Sequence, residues 1–446
     1  MTMNPEQAWQ EFTPTKQNPW NIRAAAHLYR RAGFGATYRQ LLTAVESGLP
    51  ATVESLFVKE SSEFNSQIRI LKKQVRTGGN VQSLPNYWLY RMVKSPCQLL
   101  EKTTLFWHGH FATSADKVDE AFMMIDQNDL LREHALKKFG PMVHGISKDP
   151  AMLTYLDSKV NRKTRPNENY ARELMELFCL GLGNYTEDDI KQVARTFTGW
   201  EIRNDEFRFN RYQHDYGTKQ FLGSSGEYNG EEAVEIVLSQ KSSTEFIARK
   251  LIHYFVTDYP VSDEMVAPLA NTLRDSQFDI GVAVRKIFRS RFFFDSLGKK
   301  IRSPVELGVG LLRSLEATGN FVRLSSQLRD LGQLPFFPPN VKGWTGGRTW
   351  INSATLLGRI NFVSELLTDE KTKFEQQDLK GLLESYEVRS PENSFEFLSN
   401  LLLAVEIPEP AKEKMKSILD SRSGSKNERL MKVIVAIAAL PEFQLV

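Results

Sequence analysis

Two cysteines in 446 residues offer no disulfide framework. Cys97 and Cys179 lie far apart inside helix-like patterns, where a thiol serves as a small buried hydrophobe. No apolar run approaches the roughly 20 residues that a membrane-spanning helix needs. The first twenty residues carry neither an apolar h-region nor a small-residue cleavage site, so a soluble, cytoplasmic protein is expected. Net charge is nearly absent too. Lys+Arg (57) and Asp+Glu (54) almost cancel to +3 and interleave along the chain, so charge gives no indication of nucleic-acid binding. The short motifs GxxxxGK[ST], GxSxG, HExxH, CxxC and the Rossmann glycine run are missing. P-loop hydrolysis, α/β-hydrolase chemistry and zincin proteolysis therefore lose their usual support. Period-two alternation is almost missing, and no repeat of fixed period is found.

What the chain has in abundance is helix punctuation. Residues 22–32 read as a helix ending at Gly33, and 37–47 as another ending at Gly48. Ser95-Pro96, Asp149-Pro150, Ser303-Pro304 and Ser390-Pro391 each open a helix, because proline suits the first turn and the residue before it can cap. The one strand-like stretch is 207–222, where Phe207 and Phe209 alternate with polar residues; it predicts a short β-hairpin or ordered loop. The fold class is all-α: a large multi-helix body with one small β insertion near 205–225. An N-terminal extension (1–24), a helical core (25–367) and a C-terminal helical region (368–446) packed on the core complete the expected organisation. Residues 59–83 and 368–391 read as polar connectors.

The densest signals lie between Arg165 and Trp200. Asn167 is the expected N-cap of a helix running from Glu168 to about Leu180, and Gly181 and Gly183 stop it. Thr186 with Asp189 starts a second helix. On the first helix Glu168, Arg172, Glu173 and Glu176 share one arc; Tyr170, Leu174, Leu177 and Phe178 share the opposite one.

Three polar clusters set among aromatics are candidates for chemistry. His108 and His110 flank Gly109 and are candidate ligands of a divalent metal, if Gly109 lets both imidazoles turn inward. The plainer alternative is one core histidine held by a backbone carbonyl and one surface histidine. Glu168 and Arg172 are candidate catalytic groups, against the alternative of a solvated i,i+4 salt bridge. His214 and Asp215, with Lys219 beside them, can orient an imidazole or grip an anion; a polar hairpin tip explains them equally well. A fourth stretch, 335–353, has Pro338-Pro339, Gly343 and Gly346-Gly347, which preclude regular structure. Its Trp344 and Arg348 are candidate substrate-binding residues, and packing across the helical body is the alternative.

HLYRRAGFGAT (27–37), FWHGHFATS (106–114), DPAML (149–153), PNENYARELMELFCLG (166–181), YTEDDIKQVARTFTGW (185–200), HDYGTKQFLG (214–223) and FPPNVKGWTGGRTWINS (337–353) together resemble the bacterial domain-of-unknown-function 1800 family. The resemblance is collinear from about residue 25 to the C-terminus. The family pattern usually has Asn or a similar residue where this chain has Gly109, and Phe where it has Tyr170. The resemblance implies a bacterial protein, often encoded beside a sulfatase- or phosphatase-like partner, with many exported relatives; it implies no established activity. Two readings follow. One is an enzyme or small-ligand binder in which His108, His110, Glu168, Arg172 and His214 converge on a cavity for metal-assisted or acid–base hydrolysis. The other is a non-catalytic scaffold or accessory subunit for the neighbouring hydrolase-like protein, docking through the aromatic loops at 207–222 and 335–353.

Overall fold

Why the helices start where they do is visible at their first turns. In the computed structural model, which describes residues 4–446, Asp149 accepts the Met152 amide, Ser390 accepts the Asn393 amide, and Ser303 forms a reciprocal capping box with Glu306. Thr186 and Asp189 form a second such box. The described residues make 24 α-helices and only short two-stranded sheets. None of these helices is long and apolar enough to cross a membrane.

The helices enclose two apolar cores. One gathers Trp88 from α1 (Leu84–Lys94), Leu307, and Leu398 and Val433 from the C-terminal region. The other gathers Trp107, Phe139, Phe178, Leu251 and Ile287. Helix α2 (Gln98–His110) runs between them, giving Leu105 to the first core and Leu99, Phe106 and Trp107 to the second. A helix in that position has no solvated face, so every polar side chain on it needs a protein partner. Glu101 accepts from Arg91 Nε (2.5 Å), from Arg132 Nε (2.9 Å) on α3 (Ala121–His134) and from Trp88 Nε1 (2.9 Å). Lys102 pairs with Glu306, and Thr103 and Thr104 donate back to the Leu99 and Leu100 carbonyls. Both cysteines are buried and unpaired, and burial pushes the Cys97 thiol up to about 12.

The structure departs from the sequence expectations in four places. The 59–83 connector contains a 17-residue helix, Ser62–Gly78, capped by Ser61 and stopped by left-handed Gly79; Phe64 and Ile68 are its only buried apolar residues. The 368–391 connector likewise contains a helix, Leu379–Ser385, with Leu379, Leu382 and Leu383 buried, whereas Gly48 (φ 79°) does break the helix begun at Tyr38 before a further helical segment runs through Pro50 to Ser55. The N-cap falls on Glu168, with Asn167 Oδ1 accepting the Asn169 amide, and the helix begun by α4 (Asn169–Glu173) widens into a π-turn at Leu174–Cys179. The β insertion is two hairpins. β1 (Trp200–Arg203) pairs with β2 (Glu206–Phe209), and β3 (Lys219–Phe221) with β4 (Ser224–Gly226). Asn204-Asp205 and Leu222-Gly223 have positive φ, as two-residue hairpin turns require.

Candidate functional site

A cavity of about 750 Å³ opens where the C-terminal end of α2 meets α5 (Lys241–Phe255) and the loop at 339–350. Its interior carries Phe106, His110, Lys250, Tyr254 and Glu306; its mouth carries Lys299, Lys342, Trp344 and Arg348. That size suits a small organic ligand.

The interior is organised by the π-turn. A helix end leaves carbonyls without intrahelical partners, and two of them hold cavity side chains. Leu177 O accepts Lys250 Nζ at 3.3 Å, and Phe178 O lies 2.9 Å from His110 Nε2. A carbonyl can only accept, so Nε2 carries the proton and the imidazole is neutral with its lone pair on Nδ1. Burial, reinforced by the Lys250 charge, holds His110 well below the usual histidine range. Nδ1 is buried and has no protein partner. Burial likewise brings the Lys250 ammonium down to about 8.

The two carboxylates lining the cavity are already engaged. Asp258 accepts Lys300 Nζ and the Ile301 amide, each at 2.7 Å. Glu306 is paired with Lys102 and held at about 2, the attraction of Lys102 and Lys300 outweighing burial. Among the described residues Lys250, Lys299, Lys342 and Arg348 make no ion pair, so the lining keeps an excess of uncompensated positive charge.

The loop is fastened by His108. Its Nε2 accepts the Phe336 amide at 2.9 Å, while Phe336 O accepts the Ala115 amide at 2.9 Å. Those two bonds hold Phe336 at φ 69°, a left-handed conformation uncommon for a bulky residue. Its protonated form excluded by burial, His108 sits at about 3 and packs against Trp88, Phe336 and Trp344. Farther along, Gly343 (φ 73°) lies so close to α2 that a Cβ there would be 2.2 Å from Gly109 O. Only glycine fits that approach.

Of the nine candidate site residues, His110, Trp344 and Arg348 line this cavity. His108 lies just behind, against the Trp344 ring. The other five do not line it. Arg172 bridges Glu187 and Glu168 on the solvated face of α4, the surface salt bridge its i,i+4 spacing allows. His214 is buried between Phe209 and Tyr216, with Nδ1 2.9 Å from the Thr198 carbonyl. Asp215 pairs with Arg195 at 2.7 Å, and Lys219, fully buried, donates to the Asp215 carbonyl at 2.5 Å. His214, Asp215 and Lys219 thus knit the second hairpin onto the helix Glu187–Thr196. The five polar residues expected to converge on one cavity are dispersed, because the π-turn meets the cavity side chains Lys250 and His110 with its carbonyls and turns its charged arc elsewhere. No group of three or more His, Cys, Asp or Glu side chains stands together as a metal-binding set among the described residues. The two α2 histidines reach opposite ways, His108 to the loop and His110 to the π-turn.

Sequence reasoning passed over Lys250, Tyr254, Asp258, Lys299 and Lys342. Phe246, Lys250 and Tyr254 follow at i, i+4 and i+8, a lysine on an otherwise aromatic stripe; that is the one signal available.

No curated protein and no solved structure matches the chain. The family model described as "Protein of unknown function (DUF1800)" matches residues 27–445. Nearly the whole length is covered, helices, hairpins and loop together, and the chain belongs to the DUF1800 family.

Proposed function

We propose that this protein binds a small organic anion with a planar portion in the cavity between α2, α5 and the loop at 339–350. The observation that carries the reading is the pairing of four uncompensated cations with aromatic walls. Lys299, Lys342 and Arg348 stand at the mouth and Lys250 inside, while Phe106, Tyr254, Trp344 and Trp350 supply flat apolar surface. Charged donors at the mouth hold a carboxylate, phosphate or sulfate group, and the aromatic rings take the rest. The lining also supports acid–base work on a bound ligand, with His110 Nδ1 as acceptor and Lys250 as donor.

The test uses 4-nitrophenyl phosphate, 4-nitrophenyl sulfate and 4-nitrobenzoate as probes, followed by thermal shift and tryptophan fluorescence. At least one should raise the melting temperature and quench Trp344, and a Lys342→Ala/Arg348→Ala variant should lose the effect. No response to any probe, or an unchanged response in the double variant, overturns the reading.

A further inference from the structure

We propose that Lys250 forms an imine with the carbonyl group of an anionic aldehyde or 2-oxo acid bound in this cavity. The inference rests on the anion-binding reading and adds a covalent step to it.

The other inner lysines are all committed to partners. Lys102 is fully buried but ion-paired with Glu306; Lys300 is ion-paired with Asp258; Lys219 is tied to the Asp215 carbonyl inside a hairpin. Lys250 lines the cavity with one long contact to the Leu177 carbonyl and the Phe246 ring 4.9 Å away. An amine kept among apolar groups without a carboxylate is a nucleophile at lower pH than an exposed one. With its ammonium at about 8, about a tenth of it is free amine at pH 7.

Its neighbour supplies the proton acceptor. His110 and Lys250 hang from the consecutive carbonyls Phe178 and Leu177, and His110 Nδ1 has an unused lone pair. The Lys250 nitrogen pair attacks the carbonyl carbon, and the C=O π pair moves to oxygen. His110 Nδ1 takes the proton leaving nitrogen and returns it to the alkoxide oxygen, giving the neutral carbinolamine. Loss of water then gives the imine, with nothing oxidised or reduced. The ligand's anionic group lies towards Lys299, Lys342 and Arg348, which fixes the carbonyl end toward the interior.

Phenylpyruvate is a suitable probe, being an anionic 2-oxo acid with a planar ring. The intact protein is incubated with phenylpyruvate and sodium cyanoborohydride, then digested and mapped by mass spectrometry. The reduced adduct should accumulate on Lys250 at least tenfold over any exposed lysine, and 4-nitrobenzoate should protect against it. Lys250→Arg keeps a cation over the Leu177 carbonyl and should lose the adduct. Labelling spread over surface lysines, or an adduct level on Lys250 unaffected by 4-nitrobenzoate, overturns the imine. If Lys250 stays unlabelled while phenylpyruvate still raises the melting temperature, the imine fails and the anion site stands. If phenylpyruvate neither labels nor shifts the protein, both fail.

Discussion

Replacing Glu101 by Gln tests whether α2, which carries both histidines of the FWHGHF segment, is held by a buried charge cluster. Glu101 is fully buried and accepts from Arg91, Arg132 and Trp88 at once. Burial alone would raise its carboxyl; Arg132 and Arg91 outweigh it and hold the group at about 2, against an ordinary value of 4.5. That displacement corresponds to about 3 kcal/mol of folding stability at neutral pH. Removing one partner of a buried pair typically costs about 3–5 kcal/mol, because the arginines stay buried without their counter-charge. The two estimates agree. Unfolding entropy of about 2.1 cal/mol/K per residue means that each kcal/mol moves the melting temperature of a chain this long by about 1 °C. Glu101→Gln should therefore lower it by about 3–5 °C at pH 7 in differential scanning calorimetry. The depressed carboxyl gives stability that is present above the unfolded value and lost as pH falls from about 4.5 towards 2. The difference between wild type and variant should shrink accordingly in acid. Glu168→Gln, which breaks only a surface pair, should cost about 1 °C or less. Equal, small losses for both variants would refute the claim that the α2 cluster stabilises the fold.

Gly343→Ala should detach the loop from α2, since its Cβ would collide with Gly109 O; the cavity probes should lose their thermal shift while far-UV circular dichroism stays helical. An unchanged probe response would mean that the loop does not shape the cavity. Asp149 makes the opposite pH prediction to Glu101. Burial raises its carboxyl from 3.8 to about 7, so it costs stability that mounts as pH rises between those values, with a ceiling of about 4 kcal/mol. Asp149→Asn keeps an oxygen to accept the Gln127 and Met152 donors, and should raise the melting temperature by about 2–4 °C at pH 8 and less at pH 5. A gain that does not depend on pH would show that the carboxyl is not displaced upward.

The helical class, the helix starts at Pro150, Glu187, Pro304 and Pro391, and the polarity of the central helix were legible in the residues alone. Those are local properties. A Ser or Asp before Pro, or Thr186 three residues before Asp189, meets its partner within one turn, whatever the rest of the chain does. The burial of Tyr170, Leu174 and Phe178 opposite a half-buried Glu168 and Arg172 follows from the same 3.6-residue period. Which polar residues meet is set by the folding of distant segments against one another. His108 finds Phe336 across 228 positions, Lys102 finds Glu306 across 204, and Asp258 finds Lys300 across 42. No spacing rule encodes such distances. The π-turn, equally invisible in LMELFC, turns two carbonyls toward Lys250 and His110. That step moved the candidate site from the charged arc of the central helix to its carbonyl end, because unsatisfied backbone acceptors, rather than matched side-chain charges, choose the groups that gather there.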